Sequence, residues 1–238
     1  MTSVLSEFRE HASREAMAKT LTSHISDLLS AAIKDRGSAS LAVSGGSTPK
    51  ALYEQLSLSP LDWSKVTIVL VDERWVEPKE PGSNESFIHQ TLLQNDASKA
   101  HFIGLKTKGE TPQDGLEEAK TRLSGLSLPF DVVILGMGPD GHTASWFPHA
   151  HGLDNALDGT GLLSAIEAKQ SDVTGPHTHR ITLTRKAIMD ARAMVLMISG
   201  TEKRQVWDTA CQTGDRSNMP VRALLHDDKL AIETHWAA

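Results

Sequence analysis

Apolar residues in this chain follow two rhythms. Between Ser6 and Ile33 they recur at Phe8, Ala12, Ala16, Leu21, Ile25, Leu28, Leu29 and Ile33, the spacing of one face of a helix. This predicts a long amphipathic helix, or two, over that stretch, ending near Gly37. Elsewhere the apolar runs are short and unbroken, as in "SLAV", "KVTIVLV", "FDVVIL" and "AMVLMIS". Continuous rather than alternating apolarity is expected of strands buried on both faces. Between these runs "STPKALYEQLS", "NESFIHQTLLQN", "TPQDGLEEAKTRLSG", "RKAIMDA", "GTEKRQVWDTACQ" and "PVRALLH" read as helical, with a brief strand at "HFIGL" and a last one at "KLAIETH". Thr48 is placed to cap the second helix, with Pro49 at its first position. Strands alternating with helices predict an α/β fold with a parallel or mostly parallel sheet covered by helices on both faces. No linker, charge block or repeat divides residues 1–238, which therefore read as a single domain.

Composition narrows the partners. The formal net charge is −6, with 30 acidic against 24 basic side chains, which disfavours nucleic acid and anionic membrane as partners. A small anion remains compatible, because a few cations and backbone amides suffice to hold one phosphate. No run approaches the ~20 apolar residues of a membrane span, and the N-terminal segment has no signal-peptide core. A single cysteine, Cys211, allows no internal disulfide. A soluble cytoplasmic protein is expected, a monomer or else a dimer, with Cys211 as a packed residue in a helix.

Unusual polar residues collect at strand ends, where open α/β sheets bind ligands. "LAV" runs into "SGGSTP", "IVLV" into "DERW", and "VVIL" into "GMGPDGH". The last contains G-x-G-x-x-G, the pattern of a dinucleotide-binding turn. That reading requires a long helix after the third glycine, whereas "HTASWF" allows less than two turns before Pro148 and "HAHGLDNALDGTG" has no helical period. The coenzyme reading therefore fails on context, leaving a glycine turn that presents Asp140 and His142. "SGGSTPK" offers amides, two hydroxyls and a helix start, equally consistent with a phosphate site and with a plain capped turn. Lys203 stands in a first helical turn, where a cation is disfavoured unless an anion lies nearby. The pairs His149/His151 and His177/His179 lack partners at metal-ligand spacing, so no metal is expected.

Taken in order, "SGGSTPKALYEQL", "VDERWV…SNES", "GMGPDGHTASWFP", "RITLT" and "SGTEKRQVW" resemble the 6-phosphogluconolactonases, within a wider glucosamine-6-phosphate deaminase/isomerase-like group. The resemblance runs from about Leu41 to the C-terminal "HWAA". It implies a modified Rossmann-like fold, no cofactor, and hydrolysis of 6-phospho-D-glucono-1,5-lactone, a phosphorylated sugar lactone. It implies His142 as general base, with Asp140 beside it and Asp72 and Arg74 in the second strand-end motif. Gly46, Ser47, Thr48, Arg180 and Lys203 would hold the phosphate, and Ser44, Gly45, Asn84 and Gly141 complete the binding set. Glu85, Ser86 and Trp146 depart from the family pattern and are expected on the pocket wall.

The chemistry is consistent with these residue types. A neutral imidazole can activate water at neutral pH, and a place at the start of a short helix would keep His142 unprotonated. Arg74 or the amides of the glycine turn are the candidates for holding the oxyanion. Two rivals share the phosphate cradle: an amino-sugar-phosphate isomerase or deaminase using Asp72 as base, and a non-catalytic sugar-phosphate sensor. Arg74-Trp75 counts against the former, and the lack of a basic helix or appended module against the latter.

Overall fold

The computed structural model describes residues 6–227 and 232–238. Its main sheet has seven strands in the order β1-β10-β9-β6-β2-β3-β5, all parallel. These strands are β1 (Ser6–His11), β2 (Ala39–Val43), β3 (Val66–Leu70), β5 (His101–Ile103), β6 (Val132–Gly136), β9 (Met194–Ser199) and β10 (Ile232–Ala237). Every residue of β2 is buried, as are the first four of β6, which accounts for their unbroken apolar sequence. A smaller antiparallel sheet joins β4 (Asp72–Arg74), β8 (His179–Leu183) and β7 (Leu163–Glu167).

The helices are α1 (Arg14–Arg36), α2 (Lys50–Leu56), α3 (Asn84–Thr91), α4 (Pro112–Leu123), α5 (Leu153–Asp158), α6 (Arg185–Met189), α7 (Thr201–Ala210) and α8 (Arg222–Leu225). α1 packs on β2, β6 and β10 alongside α2, and α7 packs on β9. The α/β architecture and mostly parallel sheet are those expected from the strand–helix alternation.

Local capping explains several boundaries. Ser13 accepts from the Ala16 amide to start α1, and Gly37, at φ 81°, ends it. Thr111 and Asp114 form a reciprocal capping box on α4. Cys211 closes α7 half-buried, and burial pushes its thiol up to about 11, the state of a packed residue rather than a reactive one.

Four expectations are corrected. Residues 6–11 are an edge strand, not the first turns of a helix, because they pair with β10 from the far end of the chain. The long helix starts only after the Ser13 cap. "KVTIVLVDERW", which reads in sequence as one strand with its charges at the C-terminal end, is two: after Val71 the chain leaves the main sheet and its charged end pairs with β8. Thr48 caps nothing; its hydroxyl lies 3.3 Å from that of Ser199 at the end of β9, and α2 begins after Pro49. Finally, "LDNALD" is helical as α5, whereas His142 begins no helix: residues 142–147 form a tight turn with a bridge between Thr143 and Trp146. The start of the predicted last strand, Lys229 to Ala231, lies outside the described residues.

Candidate active site

A cleft of about 520 Å³ opens where β2, β3, β6 and β9 end, around the centre of the main sheet. Its walls include Ser44, Gly45, Gly46, Ser47, Thr48, Asp72, Arg74, Asn84, His142, Arg180 and Lys203. Three turns widely separated in sequence thus meet at one place, as ligand sites in open α/β sheets do. Asp140 and Gly141 do not line it. Asp140 stands behind His142. Gly141 serves the turn rather than a ligand: its φ is 76°, its carbonyl accepts from the Val221 amide, and an added Cβ would meet Met219.

The turn after β6 is built around one imidazole. The Asp140 carboxylate meets Nδ1 of His142 at 2.5 Å and also accepts from the His142 backbone amide at 3.1 Å. Burial raises the Asp140 pKa, but its hydrogen bonds and charge pairing with His142 outweigh that and hold it below the ordinary value. A Cβ on Gly138 would lie 2.1 Å from the His142 ring. The second glycine of the G-x-G-x-x-G pattern therefore makes room for the chain's own imidazole, not for a pyrophosphate. Nε2 of His142 bonds to no described group. The following side chains are anchored elsewhere: Thr143 donates to the Gly136 carbonyl, Ser145 to Asp72, and the Trp146 indole to the Leu183 carbonyl.

The DER segment forms the second wall. Asp72 is buried and its carboxylate is committed: it accepts from the Ser145 hydroxyl and the Asn84 amide, and one oxygen lies 4.0 Å from Arg180. Asn84 also donates to the Asp72 carbonyl and leaves no space for a side chain at position 45. Glu73, fully buried, accepts from the amides of Arg74, Asn84 and Glu85 and from the Ser83 hydroxyl, bridging the strand end to the start of α3. Burial pushes its pKa up to about 7 against those donors. Arg74 donates to the Gly82 carbonyl, while its Nε is buried without a partner.

The third wall has unused donors. Among the described residues, the amides of Gly46, Ser47 and Thr48 find no acceptor, the buried Ser44 hydroxyl has no partner, and Lys203 makes no hydrogen bond or ion pair. Burial lowers the Lys203 pKa from the ordinary lysine value. Arg180 is only 3% exposed; its Nε donates to His177 and one Nη to Thr174. Burial draws its pKa down to about 10, although Asp72 works against this.

Sequence reasoning missed Phe147, which lies between His142 and Arg180, and Asp172 and Val173, which reach the cleft from the β7–β8 loop. No local pattern marks them. Conversely, Trp146 is fully buried behind the turn and Glu85 packs against Gly104, so neither they nor Ser86 wall the cleft. His149 hydrogen-bonds Asn218 and His177 packs on Gly82. Among the described residues no three His, Cys, Asp or Glu side chains converge as a metal site would require. No helix among them is long and apolar enough to cross a membrane.

Comparison with known proteins agrees with this geometry. The family described as glucosamine-6-phosphate isomerases/6-phosphogluconolactonase matches residues 12–236. A 6-phosphogluconolactonase of Rhizobium meliloti is 43% identical over 93% of this chain and 94% of its own. One from Pseudomonas aeruginosa is 40% identical over 92% and 90%. The crystal structure of a 6-phosphogluconolactonase from Shewanella baltica OS155 superposes with a TM-score of 0.93 at 43% identity, covering 98% of both chains.

Proposed function

The chain belongs to the glucosamine-6-phosphate isomerase/6-phosphogluconolactonase family, and we propose from that premise how its cleft works as a 6-phosphogluconolactonase. The enzyme hydrolyses 6-phospho-D-glucono-1,5-lactone to 6-phosphogluconate, in the oxidative branch of the pentose phosphate pathway. The observation that carries the mechanism is the imidazole of His142, held at Nδ1 by Asp140 and open at Nε2.

With Nδ1–H donated to Asp140, Nε2 is the basic nitrogen and takes a proton from water as the water oxygen attacks the lactone carbonyl. The carbonyl π electrons move to oxygen, and Arg74 holds the oxyanion with the N–H groups it does not use internally. As the carbonyl re-forms, the ring C–O bond breaks and the departing oxygen takes the proton from the imidazolium. Asp140 stabilises that imidazolium through the bond at Nδ1. The other end of the substrate is held by its phosphate, which supplies acceptors for the idle amides of Gly46 to Thr48, the Ser44 hydroxyl and Lys203. Arg180 joins Lys203 at the phosphate, and Asn84 shapes the wall between the two ends. Anchoring the phosphate fixes the carbonyl relative to Nε2 without any covalent step.

The isomerase or deaminase reading needs Asp72 as a free base. The bonds from Ser145 and Asn84 and the nearby Arg180 speak against it. We further read the protein as a cytoplasmic monomer. The test of function is proton release from freshly prepared 6-phosphogluconolactone above its spontaneous hydrolysis, with glucosamine 6-phosphate turnover as the control. Release well above background with no amino-sugar turnover supports the reading; the reverse pattern transfers the chain to the other branch of its family.

A further inference from the structure

Phe147 is 4% exposed, lines the cleft, and touches two functional groups. Its ring centroid is 4.4 Å from that of His142 at 36°, and the Arg180 guanidinium carbon lies 5.2 Å from it. The His142 ring also abuts Gly138, where even a methyl group would collide with it. The imidazole is therefore confined by a bare backbone and by an aromatic ring, with Asp140 holding Nδ1. Removing either wall frees the ring to rotate out of plane, because a single hydrogen bond at Nδ1 acts as a pivot.

Phe147 is itself fixed. Its amide donates to the Ser145 carbonyl and its carbonyl accepts from Ala150, Trp146 before it is tied to Leu183, and Pro148 follows. Ala144, three residues earlier, stands at φ 48°, a conformation costly for a side chain with a Cβ and one that marks an over-determined turn. The turn thus stores strain where it places this ring. A guanidinium near an aromatic ring is attracted by the π face, so the same ring also defines where Arg180 sits.

We propose that Phe147 is a positioning residue for catalysis, a wedge that sets the plane of the His142 base and the seat of the Arg180 guanidinium together. This rests on the reading of His142 as the base.

The test compares Phe147→Leu, which keeps apolar volume without the flat ring, with Phe147→Tyr, which keeps the ring, on phosphorylated and unphosphorylated gluconolactone. Phe147→Leu is expected to lower kcat at least ~10-fold on both lactones, since sub-ångström misplacement of a base is costly. It should raise KM only on the phosphorylated one, a split that mere loss of folded protein does not produce. Phe147→Tyr should stay within about threefold of the parent in kcat. Thermal melting checks the fold, and Phe147→Met replaces Phe147→Leu should the latter not fold. Unchanged kcat for the ring-less variant on the unphosphorylated lactone would overturn the proposal, as would equal losses in the Tyr and Leu variants. His142→Asn run in parallel separates the two ideas: an inactive His142→Asn beside a fully active Phe147→Leu sinks the wedge alone, whereas an active His142→Asn sinks the base.

Discussion

The turn after β6 and the turn after β2 face each other across one cleft but are built on opposite principles. After β6 the polar side chains are bound within the protein: Asp140 to His142, Thr143 to Gly136, Ser145 to Asp72, Trp146 to Leu183. Only Nε2 of the imidazole is left over. After β2 the reverse holds: the amides of Gly46, Ser47 and Thr48 and the buried hydroxyl of Ser44 have no acceptor among the described residues, and nearby Lys203 forms no salt bridge with any of them. The Ser44 hydroxyl is buried, and a buried donor without an acceptor costs roughly 1–3 kcal/mol; Gly46 and Ser47 are exposed, so their amides meet solvent until a ligand takes its place. The difference teaches a division of labour. In the proposed mechanism the reacting group is preorganised by internal bonds, and the anchoring groups are left for the ligand to complete.

The most severe way to test that division is at the preorganised side. His142→Asn should fold with little change in melting temperature, yet lose ~10²–10⁴-fold in kcat on either lactone, the usual contribution of a general base. A near-parental kcat would move the chemistry to another group. On the unsatisfied side the expectation has a different shape. Lys203→Ala should raise KM for the phosphorylated lactone about 10- to 100-fold, from a charge-assisted contact of roughly 1.5–3 kcal/mol. Its kcat should be largely kept, because a flexible ammonium acts as a point charge, and turnover of the unphosphorylated lactone should match the parent. If Lys203→Ala were equally damaging on both substrates, the two sides would not be separable.

Lys203 also gives that side a pH signature. Its folded pKa lies below the ordinary lysine value because burial disfavours the ammonium. Its charge is therefore present at neutral pH and is lost, as pH rises, earlier than from an exposed lysine. Titration calorimetry with inorganic phosphate should show affinity falling through that lowered pKa in the parent, with this limb missing in Lys203→Ala. The smallest expected effect is none at all: no metal takes part in the proposed mechanism, so exhaustive dialysis against a chelator should leave kcat unchanged. Activity lost and restored by zinc or magnesium would break the whole comparison, because the oxyanion would then have another partner.

Legibility in the sequence followed the range of the interactions involved. The apolar runs of β2, β3, β6 and β9 and the capped start of α4 at Thr111 concern neighbours a few residues apart, and each could be read directly. So could the Asp140–Gly141–His142 turn, where the partner of the imidazole is two residues away. The strand at Ser6–His11 was misread because its apolar spacing suits a helix, while its partner lies more than 220 residues on, in β10. Thr48 looked like a cap until Ser199 was found beside it. Phe147 carried no signal, since its role comes from Arg180 arriving on a different strand.

The chain's own pattern thus determined the fold class, the strand ends where polar residues collect, and the glycine turn that presents His142, because periodicity and short glycine turns are local physics. Only the tertiary structure decided which donors were left unsatisfied and which were bound. In the sequence Asp72 is one charge of the DER triplet; in the fold Ser145 and Asn84 occupy its carboxylate. Arg180 stands in the sequence just before an apolar run, and the fold buries it against Phe147. Whether a polar group is available to substrate depends on every other group within hydrogen-bond reach, and those groups are assembled by packing from distant parts of the chain.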